Sequence, residues 1–218
     1  NISTAEDPIE YKLKGVKQLG CKSEIGLDFA AALRSFLRQD PDVIMVGEIR
    51  DTETASIAMK AALTGHLVLS TIHTNDSAST VQRMINMGIE PFMLASSVVL
   101  IEAQRLGRRI CKNCITPVEY DPQLIKALNL EGEKYKKQTF YKGHGCQECH
   151  GTGYSGRIGF YEVMLVNDEM RDAISKGKNT DEIREIAIKN GMKTLREDAL
   201  KKAEQGITTL EEVLRCTV

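Results

Sequence analysis

The sequence predicts an α/β fold in which a parallel sheet is followed by a cysteine-bearing insertion and a helical end. Three observations carry that expectation. The apolar runs Asp42-Val-Ile-Met-Val-Gly-Glu48 and His66-Leu-Val-Leu-Ser-Thr-Ile-His73 read as strands, with helix-period text before, between and after them. Cys111, Cys114, Cys146 and Cys149 form two Cys-x-x-Cys pairs within a stretch that has few long apolar runs. From Arg157 onward, one strand-like run gives way to four short helical patterns.

Taken in order, Ile2-Ser-Thr-Ala5 is strand-like and ends on Glu6 and Asp7, where Pro8 forces a turn. Asp28 can cap a helix whose Phe29, Ala32, Leu33, Phe36 and Leu37 share one face, and Asp40-Pro41 stops it. The run from Asp42 to Glu48 is apolar at consecutive positions, which suits a strand covered on both faces in a parallel sheet. Thr52 to Leu63 reads as a helix ended by Gly65, and His66 to His73 as a second strand of the same buried kind. Ser77 to Met87 reads as a helix stopped by Gly88. Pro91 to Gln104, apolar nearly all round, reads as a further, buried helix. Strand and helix in this rhythm imply right-handed crossovers. Between Arg105 and Gly156 the pattern breaks, and Arg157 to Val166 returns to strand. Asp168 to Ser175, Asp181 to Lys189, Leu195 to Glu204 and Leu210 to Leu214 then read as helices, punctuated by Asn190-Gly191 and Gly206.

Composition narrows the function classes. The 218 residues, 42% of them hydrophobic, are enough to bury a core. Lysine plus arginine (29) nearly balances aspartate plus glutamate (30), and no long run of like charge occurs, so a nucleic-acid partner is not expected. The longest apolar stretch, Phe92 to Ile101, is about half the roughly 20 residues of a membrane-spanning helix, so no transmembrane segment is expected. No signal-peptide pattern opens the chain, and a cytoplasmic setting is expected. A start at Asn1 without an initiator methionine points to a piece of a longer protein.

The acidic ends of the strands carry the chemistry. A hydrophobic strand that delivers an acid to a sheet edge, as Asp42 to Glu48 does, has the shape of a Walker B segment, where magnesium and phosphate sit. By itself this pattern is equally that of any buried strand ending in an acid. Two neighbours sharpen it: Thr4-Ala-Glu6-Asp7-Pro8-Ile-Glu10 ends one strand in paired carboxylates, and Leu63-Thr-Gly65-His66 through His73-Thr-Asn-Asp76 ends another in a histidine and a polar turn. In a parallel sheet these ends share one rim, so Glu6, Glu48 and His73 are expected to converge.

These three segments resemble, in order, the Asp box, Walker B motif and His box of the GspE/PilB family of secretion ATPases. Arg34-Ser-Phe-Leu-Arg38-Gln-Asp-Pro-Asp42 and Ala103-Gln104-Arg105-Leu106 match it too, so the resemblance covers nearly the whole chain. It implies a RecA-like sheet of the P-loop NTPase fold, present in part, with residues 1–105 as ATPase core, 106–156 as a zinc subdomain and 157–218 as a helical subdomain. It further implies that Glu6 polarises the attacking water, Glu48 organises the magnesium shell and His73 approaches the terminal phosphate of ATP. Arg50 and His66 are the expected nucleotide contacts, although His66, at the start of its strand, equally suits a capping role. No Gly-x-x-x-x-Gly-Lys-[Ser/Thr] occurs, and the family places that loop before Asn1. The chain alone is therefore expected to be inactive, while its parent is expected to be a homo-hexamer that hydrolyses ATP and drives an inner-membrane platform protein of a type IV pilus or type II secretion machine. Pilus assembly and type II secretion use the same motifs here. The competing class is a non-catalytic docking module that binds the platform protein. A DNA-translocating relative is disfavoured by the balanced charge and the cysteines.

Those cysteines read as a structural zinc site. Four thiolates supply a tetrahedral sulfur set with no open catalytic position, and the flanking Gly143, Gly145, Gly151 and Gly153 let the backbone bend around sulfur. Cys146-Gln-Glu-Cys149-His150 also fits the haem-attachment pattern, but then the upstream pair has no role. Disulfides conflict with the cytoplasmic setting. Residues 115–145 between the pairs hold little that could form a core, so the subdomain is expected to depend on its metal. The tetracysteine set agrees with assembly-type members of the family rather than retraction-type ones.

Overall fold

The structure is a computed structural model that describes residues 1–217. In chain order its elements are β1 (Ile2–Glu6), β2 (Lys17–Gly20), α1 (Phe29–Phe36), β3 (Val43–Val46), α2 (Thr52–Leu63), β4 (Leu67–Ser70), α3 (Ser77–Asn86), α4 (Pro91–Ser97) and β5 (Leu100–Ile110). They continue through β6 (Ile115–Val118), α5 (Pro122–Ala127), α6 (Glu133–Lys136), β7 (Phe140–Gly143), β8 (Tyr154–Leu165), α7 (Asp168–Ser175), α8 (Thr180–Lys189), α9 (Leu195–Glu204) and α10 (Leu210–Thr217). Among the described residues no helix is long and apolar enough to cross a membrane. The elements gather into two compact units that are not consecutive in sequence: Asn1–Ile101 with Met164–Asn190, and Glu102–Val163 with the chain from Gly191 onward.

The first unit is built on a parallel sheet of order β2-β1-β3-β4. Local chemistry starts its helices where the sequence placed them. Asp28, Asp51 and Asp76 each accept a hydrogen bond from the backbone three residues on, at 2.7 Å, and so cap α1, α2 and α3. Phe29, Ala32, Leu33 and Phe36 of α1 are buried, as their spacing on one face requires, and Ile44 and Val46 of β3 are fully covered. α7 packs on α4 and α8 on α3.

Two elements differ from the sequence expectation. β4 is not covered on both faces: it is an edge strand among the described residues, paired only with β3, and Leu67 and Leu69 are each half exposed. The helix expected from Pro91 to Gln104 stops at Ser97, and Leu100 begins an eleven-residue strand. An apolar run does not by itself tell strand from helix, and the β-branched pair Val98-Val99 favours extended backbone.

In the second unit β5 pairs with β8, and β6 pairs antiparallel with β7. Its core joins Leu128, Leu130 and Phe140, which lie between the cysteine pairs, to Phe160, Leu195, Ala199, Ala203, Leu210 and Val213. The segment between the pairs therefore does contribute to a core, against expectation, because α9 and α10 supply its other wall.

Candidate functional site

Three neighbouring strands bring their carboxyl ends to one rim of the first unit. The register sets Ala5 beside Val46 and Val46 beside Ser70, so Glu6, Glu48 and His73 leave their strands on the same edge. Hydrogen bonds continue past the strand ends: the Gly47 N–H donates to Ala5 O at 2.8 Å, the Ile49 N–H to Thr71 O at 2.9 Å, and the Thr71 hydroxyl to Gly47 O at 2.7 Å. Backbone fixed on both sides of Glu48 sets its Oε2 3.1 Å from His73 Nε2. Arg50 pairs with the other oxygen, Oε1. The guanidinium of Arg50, and after it His73, hold the Glu48 carboxyl below its usual range, so the group is an ionised acceptor. Nε2 of His73 must then carry the proton of their contact. With 88% of its side chain exposed, His73 stands at the lip of the rim.

Glu6 is held separately. Its Oε1 accepts from the Thr4 hydroxyl at 2.6 Å and from Gln18 Nε2 at 2.9 Å. The structure thus brings Glu48, Arg50 and His73 into contact, with Glu6 on the same edge but gripped by β1 and β2. His66 lies at the opposite end of β4 from His73. Its Nδ1 is 2.9 Å from Ala61 O and 3.2 Å from Thr64 Oγ1, which makes it a cap on the last turn of α2.

Sequence reading passed over the residues that hold the rim in place. Thr4 was detectable, since alternate residues of a strand share a face and Thr4 precedes Glu6 by two. Gln18 and Arg184 were not, because each arrives from an element distant in sequence. Arg184 of α8 donates to Asp76 Oδ2 at 2.9 Å, while Asp76 Oδ1 caps α3. Against burial, which would raise it, Ser79 and Arg184 hold the Asp76 carboxyl low.

The second unit gathers Cys111, Cys114, Cys146 and Cys149, with all four sulfurs within 4.8 Å of one another. Three Sγ separations are 3.9 Å (Cys111 and Cys146), 3.8 Å (Cys114 and Cys149) and 3.7 Å (Cys146 and Cys149). A regular tetrahedron of sulfurs about 2.3 Å from a central zinc has an edge of about 3.8 Å. The thiols are far too separated for disulfides, and all six cysteines are free. Antiparallel pairing of Ile115 with Gly143 and of Val118 with Phe140 closes the long segment at its base, so its length does not keep the two pairs apart. Gly143 and Gly153 cross so tightly that a Cβ on Gly143 would lie 2.1 Å from Gly153 O. The N–H groups of Cys146 and Gly153 both point at Cys149 Sγ, at 3.2 Å. Against burial, these donors bring the Cys149 thiol down to about 6, whereas burial and the neighbouring thiols push Cys114 up to about 12. The sulfur set can hold a metal ion, and His150 is outside it.

The chain as a whole is similar to known proteins. The model of the family "Type II/IV secretion system protein" matches residues 1–215. A type IV pilus assembly ATPase, PilB of Thermus thermophilus, is 53% identical across the whole chain, which spans 24% of that protein's length. Type II secretion system protein E of Pseudomonas aeruginosa is 46% identical over 217 residues, and the chain spans 43% of it. Among solved structures, the pilus retraction motor PilT with bound ADP superimposes with a TM-score of 0.68 at 29% identity, covering 99% of this chain and 52% of that one. The parallel sheet, the four-cysteine cluster and the helical end are those of the fold class expected, and the chain belongs to the type II/IV secretion system protein family.

Proposed function

We propose that this chain is part of a hexameric ATPase that powers type IV pilus assembly or type II protein secretion. The observation that carries the proposal is the Glu48, Arg50 and His73 cluster beside Glu6 on one sheet rim. Glu48, kept ionised by Arg50, is the residue that would orient the waters of a bound magnesium ion. His73, whose Nε2–H rests on Glu48 Oε2, would turn that N–H to the terminal phosphate when nucleotide binds. Glu6 takes the proton of the attacking water, a role for which an ionised carboxylate suffices. Bound magnesium would supply charge neutralisation for the phosphates. Arg50 fixes Glu48 and stands next to the nucleotide, whereas His66 stays with α2.

The cysteine cluster holds one structural zinc, because four sulfurs at tetrahedral separations leave no open position for chemistry. The motor works in the cytoplasm, docked on an inner-membrane platform protein, and needs no nucleic acid.

In the protein that carries this sequence, Glu6→Gln should cut ATP turnover by at least about a hundredfold while nucleotide binding persists. Glu48→Gln should stop hydrolysis and weaken the magnesium dependence of binding. The 218-residue chain by itself should show no turnover above buffer, since it has no Gly-x-x-x-x-Gly-Lys-[Ser/Thr] loop for the phosphates. Wild-type rates in both variants would remove Glu6 and Glu48 from the chemistry, and no turnover in the intact protein would leave the docking-module reading in place of the enzyme.

A further inference from the structure

The two hydrogen bonds to Glu6 fall on the same oxygen. A carboxylate oxygen has two lone pairs, and Oε1 uses both, on the Thr4 hydroxyl at 2.6 Å and Gln18 Nε2 at 2.9 Å. Oε2 accepts no hydrogen bond among the described residues. We propose that Thr4 and Gln18 are positioning residues that saturate Glu6 Oε1 and lock the carboxylate rotamer, so that Oε2 alone is left to accept the proton of the attacking water. The proposal rests on the reading of Glu6 as the general base.

Sheet geometry makes this arrangement a built one. Thr4 and Glu6 share a face of β1 because they are two residues apart. The parallel register pairs Thr4 with Gln18 and Glu6 with Gly20. Gln18 therefore stands beside Thr4, on the face from which its amide reaches Glu6. The amide is itself fully committed. Its Oε1 accepts from the Leu13 N–H at 2.7 Å, and Nε2 donates to Tyr11 O at 2.9 Å as well as to Glu6. A flipped amide would set its oxygen against two acceptors and its NH2 against a donor, so the partners fix its orientation. Through Gln18 the backbone of Tyr11 and Leu13, both exposed, is tied to the carboxylate.

Losing either donor frees the carboxylate to rotate and makes Oε1 compete with Oε2 for water. Misplacement of a catalytic group by about 1 Å can cost about a hundredfold in rate. In the intact protein, Thr4→Val, which keeps the shape and removes the hydroxyl, should lower kcat by about tenfold, with KM for MgATP and the Kd for MgADP within twofold of wild type. Gln18→Met should do the same. Thr4→Ser, which restores the hydroxyl, should return kcat to within about twofold. Because both residues act through Glu6, Thr4→Val should cost nothing further in a Glu6→Gln background. Wild-type kcat in Thr4→Val and Gln18→Met, with Glu6→Gln inactive, would overturn the positioning role and leave the base intact. A rise in KM that tracks the loss of kcat, or failure of Thr4→Ser to rescue, would overturn it too. A fully active Glu6→Gln would instead remove the base reading on which it rests.

Discussion

A carboxylate buried away from water is costly unless its lone pairs are met, and Glu212 in α10 has every one engaged. Fully buried, it accepts from the Arg108 backbone N–H at 2.7 Å, from Arg108 Nε and Nη2 at 3.0 and 2.7 Å, and from Arg215 Nε and Nη2 at 2.9 and 2.7 Å. Burial would raise its pKa, but the Arg215 and Arg108 donors bring it down to about 2. A folded-state pKa below the unfolded one stabilises the fold above the unfolded pKa. That stability is lost as pH falls from about 4.5 toward 2, and amounts to about 3 kcal/mol. Glu212→Gln should therefore lower stability by roughly 3 kcal/mol at pH 7 and flatten the acid limb of the stability curve between pH 4.5 and 2. An unchanged acid limb in urea unfolding of the variant would show that Glu212 is not the titrating group. The sequence shows only the i,i+3 partner Arg215, an ordinary surface-helix pairing; the burial of Glu212 and its partner Arg108, 104 residues away, are not legible there. The four cysteines, by contrast, were legible because each Cys-x-x-Cys pair is local and its chemistry does not depend on the rest of the fold.

At the scale of elements, helices read better than strands. The four final helices fall at or within two or three residues of their expected positions, since caps such as Asn179 with Glu182 and Thr194 with Glu197 are written in consecutive residues. Strands β2, β6 and β7 carry no alternation to detect, and only Leu100 and Ile101, the start of β5, lie in the apolar run that serves helix and strand equally. The close approach of Gly143 in β7 to Gly153 is likewise a pairing in space, although their place beside the cysteines marks both glycines for backbone bending at sulfur. A Cβ on Gly143 would meet backbone rather than a movable side chain. Gly143→Ala should cost about 2–3 kcal/mol and weaken metal retention in a competition with a chromogenic chelator. Gly20→Ala, whose Cβ would meet only the Ile9 side chain, Cδ1 at 3.8 Å and Cγ1 at 4.0 Å, should stay within about 0.5 kcal/mol of wild type and serves as the control. Equal stability of the two variants would show that β7 and the second cysteine turn can move apart freely.

On the scale of the whole molecule, the sequence showed a succession of segments, whereas contacts group residues that the chain visits twice. Met164–Asn190 completes the first unit, and the chain from Gly191 onward completes the second. This matters for metal loss. If residues 115–145 had no core of their own, chelation would unfold the whole cysteine segment. Instead Leu128, Leu130 and Phe140 are buried with Phe160 and with residues of α9 and α10, and that apolar burial does not depend on sulfur. Removal of the metal should therefore act in two tiers. The amides whose bonds shape the cysteine turns, Cys111 N–H to Gly153 O at 2.9 Å, His144 N–H to Cys114 O at 3.1 Å and Gly151 N–H to Cys146 O at 2.9 Å, should lose hydrogen-exchange protection by at least about tenfold. Amides of α9 and α10 should keep most of theirs, and those of β3 and β4, in the other unit with its own core, should be unchanged. Cys146→Ser should reproduce the pattern without chelator. Uniform loss of protection through α9 and α10 would mean that the metal, rather than the shared apolar core, holds the second unit together. Loss in β3 would mean that the two units do not unfold independently.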